Sequence, residues 1–227
     1  MNPPLTPGEL EALKAYSTPT IANGIETFGV RPRNQGFMDH TIVCRFPGLG
    51  RMAGYAVTAK IRASAPPSSQ VPAPEVWRIF ADVPKPWVVV VEDLDQPKPV
   101  GSYWGEVNGS TYQALGAVGC VTNGGVRDLP EVQAIGFHFF SACVLVSHAY
   151  VHVVEAGTPV VVGGLTVGPG DLLHGDEHGV TSIPIEIARD LPEACRRIED
   201  AERVVIGYAR SGEATPEGLA KRFGRVD

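Results

Sequence analysis

Two short stretches carry the residue types from which chemistry is made. Gly124-Gly125-Val126-Arg127-Asp128 follows an apolar run, and Gly105-Glu106-Val107-Asn108 opens a segment of helical pattern. An arginine binds a carboxylate bidentately or polarises a keto oxygen, because its planar guanidinium donates in parallel pairs. The adjacent aspartate offers a hard oxygen to a divalent cation. The plainer alternative makes Asp128 the N-cap of the next helix and Arg127 a surface residue. At Gly105, the free N–H groups of a helix start form an anion site, and glycine lets a ligand approach closely. Its plainer alternative is a helix start with a glycine for packing. Both stretches follow buried runs of parallel type. Both are therefore expected at the carboxyl edge of one sheet, where ligands sit in open α/β folds. Together they suit a small metal-chelating 2-oxo acid.

A histidine group is the competing constellation. His148 and His152, and His174 and His178, share the x3 spacing of ligand pairs on helices, with Asp176 and Glu177 between the last two. Their surroundings read as strand and turn, which is how a cupin-like barrel would carry a metal. Scattered histidines more often serve structure. Ser147 lacks the G-x-S-x-G surroundings of a nucleophile.

These residues need elements to position them. Thr6-Pro7-Gly8-Glu9 has the form of a capping box, and residues 7–28 read as two short helices, the second capped by Thr20 and ended by Gly29. Residues 54–62 alternate as a strand, 65–74 is a loop, and 75–80 a short helix. Residues 87–91 (WVVVV) read as a strand buried on both faces, with the acidic residues 92–95 in the loop after it. A helix is predicted over 104–115, a strand over 117–122 with a turn at Gly124-Gly125, a helix from Asp128 to Gly136, and a strand over 137–146. From 147 onward the pattern becomes short antiparallel strands with a Pro169-Gly170-Asp171 turn. A final helix spans 186–206, with Pro192 kinking it or marking its start, and a polar tail follows that is placed to reach a neighbouring subunit. The order predicts a layered α/β fold with a mixed sheet and a small β-barrel-like portion.

Composition bounds the alternatives. The chain has 227 residues, a net charge of −6, 26 glycines and 20 prolines, so it suits one globular domain (1–227) rich in turns. The helices near 7–28 and the segment 186–227 decorate it. An acidic chain without a basic stripe argues against a nucleic-acid partner. No apolar run approaches the ~18 residues of a membrane span, and Met1 to Pro7 lack the pattern of a signal peptide. Four cysteines without a C-x-x-C pair fit a cytoplasmic compartment.

Trp104 to Asn108, the run Gly119 to Asp128 (GCVTNGGVRD), Gly163-Gly164-x-Thr166-Val167-x-Pro169-Gly170-Asp171, and Gly50 to Thr58 upstream resemble the RraA-like family. That family includes class II 4-hydroxy-4-methyl-2-oxoglutarate aldolases and a regulator of ribonuclease E activity. The resemblance implies an α-β-β-α sandwich with a barrel-like core, assembled as a homotrimer or a dimer of trimers with the active site between subunits. It implies that Arg127 binds a 2-oxo acid and that Asp128 holds Mg2+ or Mn2+. The amides of Gly105, Glu106, Val107 and Asn108 would bind the substrate carboxylate, and Glu106 would order metal-bound water in catalysis. The implied reaction is cleavage of a 4-hydroxy-2-oxo diacid to pyruvate, with oxaloacetate decarboxylation alongside. A ribonuclease-binding regulator, or a lyase or hydratase on another substrate, are the alternatives. Asn23, Asn123 and the segment 141–152 depart from the family pattern where substrate groups would bind.

Overall fold

The computed structural model describes residues 4–95 and 99–223. Its frame is a nine-stranded mixed sheet in the order β1-β6-β5-β3-β2-β10-β11, with β4 against β5 and β7 against β2. The strands are β1 (Val43–Cys44), β2 (Met52–Arg62), β3 (Trp87–Asp93), β4 (Ser102–Trp104), β5 (Ala117–Val126), β6 (His138–Val144), β7 (His152–Ala156), β10 (Leu172–Asp176) and β11 (Gly179–Ile183). A separate hairpin joins β8 (Val160–Val162) to β9 (Leu165–Val167). Strands β2, β3, β5 and β6 run parallel, with β4 parallel to the end of β5. The outer strands β1, β7, β10 and β11 pair antiparallel with their neighbours.

The sheet curls towards closure because one segment spans its two ends. Phe37 bridges Thr181 on β11, and Met38 N–H donates to Val180 O at 2.9 Å. Six residues later Val43 and Cys44 pair with β6 at the other edge. Val160, Val162 and Val167 of the β8–β9 hairpin pack into the interior that this curl encloses.

Alternation along β3 shows why both faces are apolar. Trp87, Val89 and Val91 enter one core with Phe80, Trp104 and Tyr112. Val88 and Val90 enter the barrel interior with Met52, Phe140, Val162 and Leu173. Helices α3 (Ala73–Phe80), α4 (Glu106–Ala114) and α5 (Leu129–Ala134) belong to the first side. A third core joins Tyr55, Leu172 and Ile183 to α1 (Pro7–Lys14), α2 (Thr18–Glu26) and the start of α6 (Leu191–Ala209). The layers are those expected: helices, curled sheet, helices.

Several boundaries move. The capping box at Thr6 and Glu9 is present, but Ser17, not Thr20, caps α2, accepting from Thr20 N–H. Pro19 then sits in the first turn, where its missing donor costs nothing. Glu92 and Asp93 complete β3 rather than a loop. β5 runs straight through Gly124-Gly125 to Val126, and its register with β6 slips between Thr122 and Gly125, so the glycines make a bulge and not a turn. Trp104 belongs to β4, and α4 starts at Glu106. Alternation from His148 does not become strand until His152. Pro192 marks the start of α6 and does not kink it. The tail forms α7 (Pro216–Phe223), and its last four residues lie outside the described residues.

Candidate functional site

The two stretches meet. Strand β4 pairs with β5 at Ser102↔Gly125 and Trp104↔Val126, and Arg127 N–H donates to Trp104 O at 3.0 Å. That ladder sets the start of α4 beside the end of β5, at the carboxyl edge of the parallel strands.

Asp128 is the centre of the arrangement. It occupies the N-cap position of α5, yet its backbone is left-handed, φ 55° and ψ 45°, and its side chain does not cap that helix. The carboxylate turns instead to α4 and accepts the Glu106 N–H at 3.0 Å through Oδ2. A non-glycine residue in this conformation costs roughly 1–2 kcal/mol and persists only where its surroundings fix it, which happens most at functional sites. Gly105 is part of the fixation. A Cβ there would run into Asp128 Oδ2 and come within 3.2 Å of Arg127 Cγ and Nε.

Arg127 Nε lies 3.7 Å from Asp128 Oδ2, and both side chains are 35% exposed. Among the described residues, the terminal guanidinium nitrogens of Arg127, Asp128 Oδ1 and the Glu106 carboxylate have no hydrogen-bond partner. The Val107 and Asn108 N–H groups lie in the first turn of α4, where no intrahelical acceptor reaches them. The Asn108 side chain is spent on structure, donating to Tyr103 O at 2.6 Å. The Glu106 amide, expected to bind substrate, is held by Asp128.

Where the end of β5 meets the start of α4, Arg127, Asp128 and Glu106 bring together one positive and two negative charges. A dianionic ligand would bind poorly against that balance without a cation. Asp128 Oδ1 is a hard oxygen on a partly exposed side chain, without a protein partner among the described residues. Such a donor fits Mg2+ or Mn2+, which take one or two carboxylates and fill the remaining positions with water and substrate oxygens.

The histidines do not form one centre. His148 and His152 lie at the carboxyl end of β2, where β7 pairs with it, and each sets Nδ1 on a backbone carbonyl at 2.7 Å. His174 lies at the other end of β2, fully buried, with Nδ1 2.9 Å from Thr18 Oγ1. Burial pushes its pKa down to about 4. Asp176, Glu177 and His178 group at the β10–β11 turn. Both Asp176 oxygens are used there, Oδ2 accepting Thr18 N–H and Oδ1 accepting His178 N–H.

Two features escaped the sequence reading. Asn123 bridges β3 and β5, accepting Asp93 N–H at 2.7 Å and donating to Asp93 O at 3.1 Å, so its side-chain amide stitches the two strands. Asp93 is buried with Oδ2 unpartnered. Desolvation pushes its pKa up to about 6. The inward parity of Asp93 in the β3 alternation was the available signal.

The sequence model of the RraA-like family, described as Aldolase/RraA, matches residues 11–181. The chain belongs to this family. A solved protein from Pseudomonas syringae pv. tomato, described as uncharacterized, superposes with a TM-score of 0.75 at 23% identity, covering 99% of this chain and 96% of that one. Streptomyces coelicolor RraAS2, titled an unusual member of the RNase ES inhibitor RraA protein family, superposes with a TM-score of 0.70 at 20% identity over 88% of this chain and 98% of its own. Both establish the RraA-like fold. A Halalkalibacterium halodurans protein named "Putative 4-hydroxy-4-methyl-2-oxoglutarate aldolase" is 33% identical over 32% of this chain and 35% of its own length. Two further curated relatives are matched over 17% and 57% of their lengths. This RraA-like chain thus shares its fold with aldolases and with ribonuclease inhibitors. No helix among the described residues is long and apolar enough to cross a membrane.

Proposed function

We propose that this RraA-like protein is a divalent-metal-dependent lyase that cleaves a 4-hydroxy-2-oxo diacid to pyruvate and also decarboxylates oxaloacetate. The observation that carries the reading is the left-handed Asp128, whose carboxylate leaves its own helix to lie between Arg127 and the start of α4. A purely structural N-cap needs no such strain.

Asp128 would hold the cation, through the oxygen that has no protein partner. When bound, the cation supplies Lewis-acid polarisation of the 2-keto group. The free amides of Val107 and Asn108 and the guanidinium of Arg127 orient the substrate carboxylate. As the C3–C4 bond breaks, the 4-hydroxyl loses its proton and negative charge moves onto the keto oxygen. Arg127 stabilises that charge where it develops. Oxaloacetate loses CO2 to reach the same charge distribution, so one site serves both reactions. Glu106, exposed and unpaired, is placed to take and return the proton through water.

The site also invites a second copy. Val107, Val144 and Val146 are 78%, 49% and 96% exposed, and Val144 pairs with Val126 beside Arg127. A homotrimer, or a dimer of trimers, covering this apolar rim belongs to the proposal. Val146→Asp should lower the mass seen by light scattering if it does, and an unchanged mass would remove this part.

The decisive experiment is pyruvate release from oxaloacetate and from a 4-hydroxy-2-oxo diacid, with Mg2+ or Mn2+ and then with EDTA. Metal-dependent pyruvate, lost in Asp128→Ala, is expected. Folded protein that yields no pyruvate with any metal would sink the lyase reading and turn attention to a ribonuclease partner.

A further inference from the structure

The parallel strands have a second open edge. At the amino ends of β2, β3, β5 and β6, under α1, lies a cavity of about 420 Å³. Its lining includes Lys14 from α1, Arg51 before β2, Lys85 before β3 and His138 at the start of β6. Strand β5 separates it from Arg127 by its full length, ~30 Å at ordinary strand rise. The cavity and the candidate active site are therefore different places.

The polar groups here are underused. Among the described residues, Lys14 Nζ meets Glu11 Oε1 at 2.9 Å, and Arg51 Nη1 donates to the Lys14 and Ala15 carbonyls at 3.1 and 2.9 Å. Among the described residues the other Arg51 nitrogens have no hydrogen-bond partner. Lys85 Nζ sits 4.9 Å from the Trp87 ring centroid and, among the described residues, meets no carboxylate. Glu11, in the cavity lining, and Glu177, in the adjoining groove, are the acids on this side. Three cations thus face one lining carboxylate. His138 is 7% exposed, stacked on Phe140, and its buried Nδ1 has no hydrogen-bond partner. A buried polar atom is rarely left so without a ligand or a water.

We propose that this cavity is a second anion site, in which Lys14, Arg51, Lys85 and His138 receive the oxyanion of a small phosphate or carboxylate compound. Leu5, Leu10 and Ala117 line the same cavity and give the ligand's body an apolar wall. The volume suits a small metabolite. Because the ligand charge is met by lysines and an arginine, binding weakens with salt.

The test is calorimetric titration of the full chain, in metal-free buffer, with inorganic phosphate and with succinate. The two anions distinguish a phosphate from a carboxylate ligand. One saturable site per chain is expected for at least one of them. Lys85→Gln and Arg51→Gln should each weaken it about tenfold, the worth of one charge-assisted hydrogen bond. Arg51 also ties α1 to β2, so Lys85→Gln is the cleaner variant. Arg127→Ala should leave binding unchanged. Absence of saturable heat with both anions would assign the cavity to water and overturn the proposal. Binding unchanged in Lys85→Gln, or lost in Arg127→Ala, would overturn it as well. The outcome is independent of whether the protein releases pyruvate.

Discussion

Replacing Asp128 separates the strain of its backbone from the chemistry of its carboxylate. Asp128→Ala removes a charge-assisted hydrogen bond to Glu106 N–H, made at a half-exposed site. That loss is worth about 1 kcal/mol. Alanine also keeps the left-handed backbone without the local polar contacts that ease it for aspartate, adding about 1 kcal/mol. The sum is about 2 kcal/mol, a Tm lower by ~4–8 °C for a chain of this size. Asp128→Gly loses the same bond but pays nothing for φ 55°. It should melt about 2–4 °C above Asp128→Ala. Asp128→Asn keeps an acceptor oxygen and tolerates the conformation, so it should melt within ~3 °C of wild type. All three lack the anionic oxygen, and metal-dependent pyruvate release should fall at least about 100-fold in each. Differential scanning calorimetry gives the melting order, and a coupled pyruvate assay gives the rates. Glycine melting below alanine would refute the strain argument. An Asp128→Asn enzyme at wild-type rate would refute the role of the carboxylate.

Arg127→Ala should lower kcat/KM by about 10²–10³ with the melting temperature almost unchanged, since its side chain is half-exposed and the loss is of transition-state charge. Gly105→Ala should displace Asp128 from Glu106 N–H, costing about tenfold or more in rate while the fold survives; a wild-type rate would show that the close approach is unimportant. Asp93 titrates at about 6 when folded against 3.8 unfolded, so folding carries no penalty from it below pH 4 and loses up to about 3 kcal/mol as pH rises past 6. Asp93→Asn should therefore raise Tm by several degrees at pH 8 and leave it nearly unchanged at pH 4, which thermal melts at the two pH values would check.

What could be read from the residues followed from patterns that answer to one local cause. The β3 run had to be buried on both faces because it has no polar position before Glu92, and the capping box needs only Thr6 and Glu9, three positions apart. What could not be read depended on pairing. Gly124-Gly125 looks like a turn in a lone chain. It continues the strand because β4 and β6 lie on either side and absorb the extra residue as a bulge. The short strand β4 was invisible for the same reason, since Ser102 to Trp104 is strand only through its partners Gly125 and Val126.

Asp128 shows how two readings of one residue can both be incomplete. As an N-cap it sits in the right place, but the amide it satisfies belongs to a different helix, 22 residues earlier in the chain. As a ligand-binding carboxylate it was expected beside free amides at Gly105 to Asn108, yet it consumes one of them. Both facts follow from the backbone at φ 55°, which aims the side chain across the sheet edge and away from α5. The consequence is electrostatic. A carboxylate that neutralises the start of α4 weakens that start as an anion site on its own. In the proposed lyase an anionic substrate would then gain from α4 only when the cation offsets Asp128, which would couple anion binding to metal binding at this edge. Pyruvate should therefore bind this protein measurably tighter with Mg2+ or Mn2+ than with EDTA, and in Asp128→Gly the metal should no longer matter.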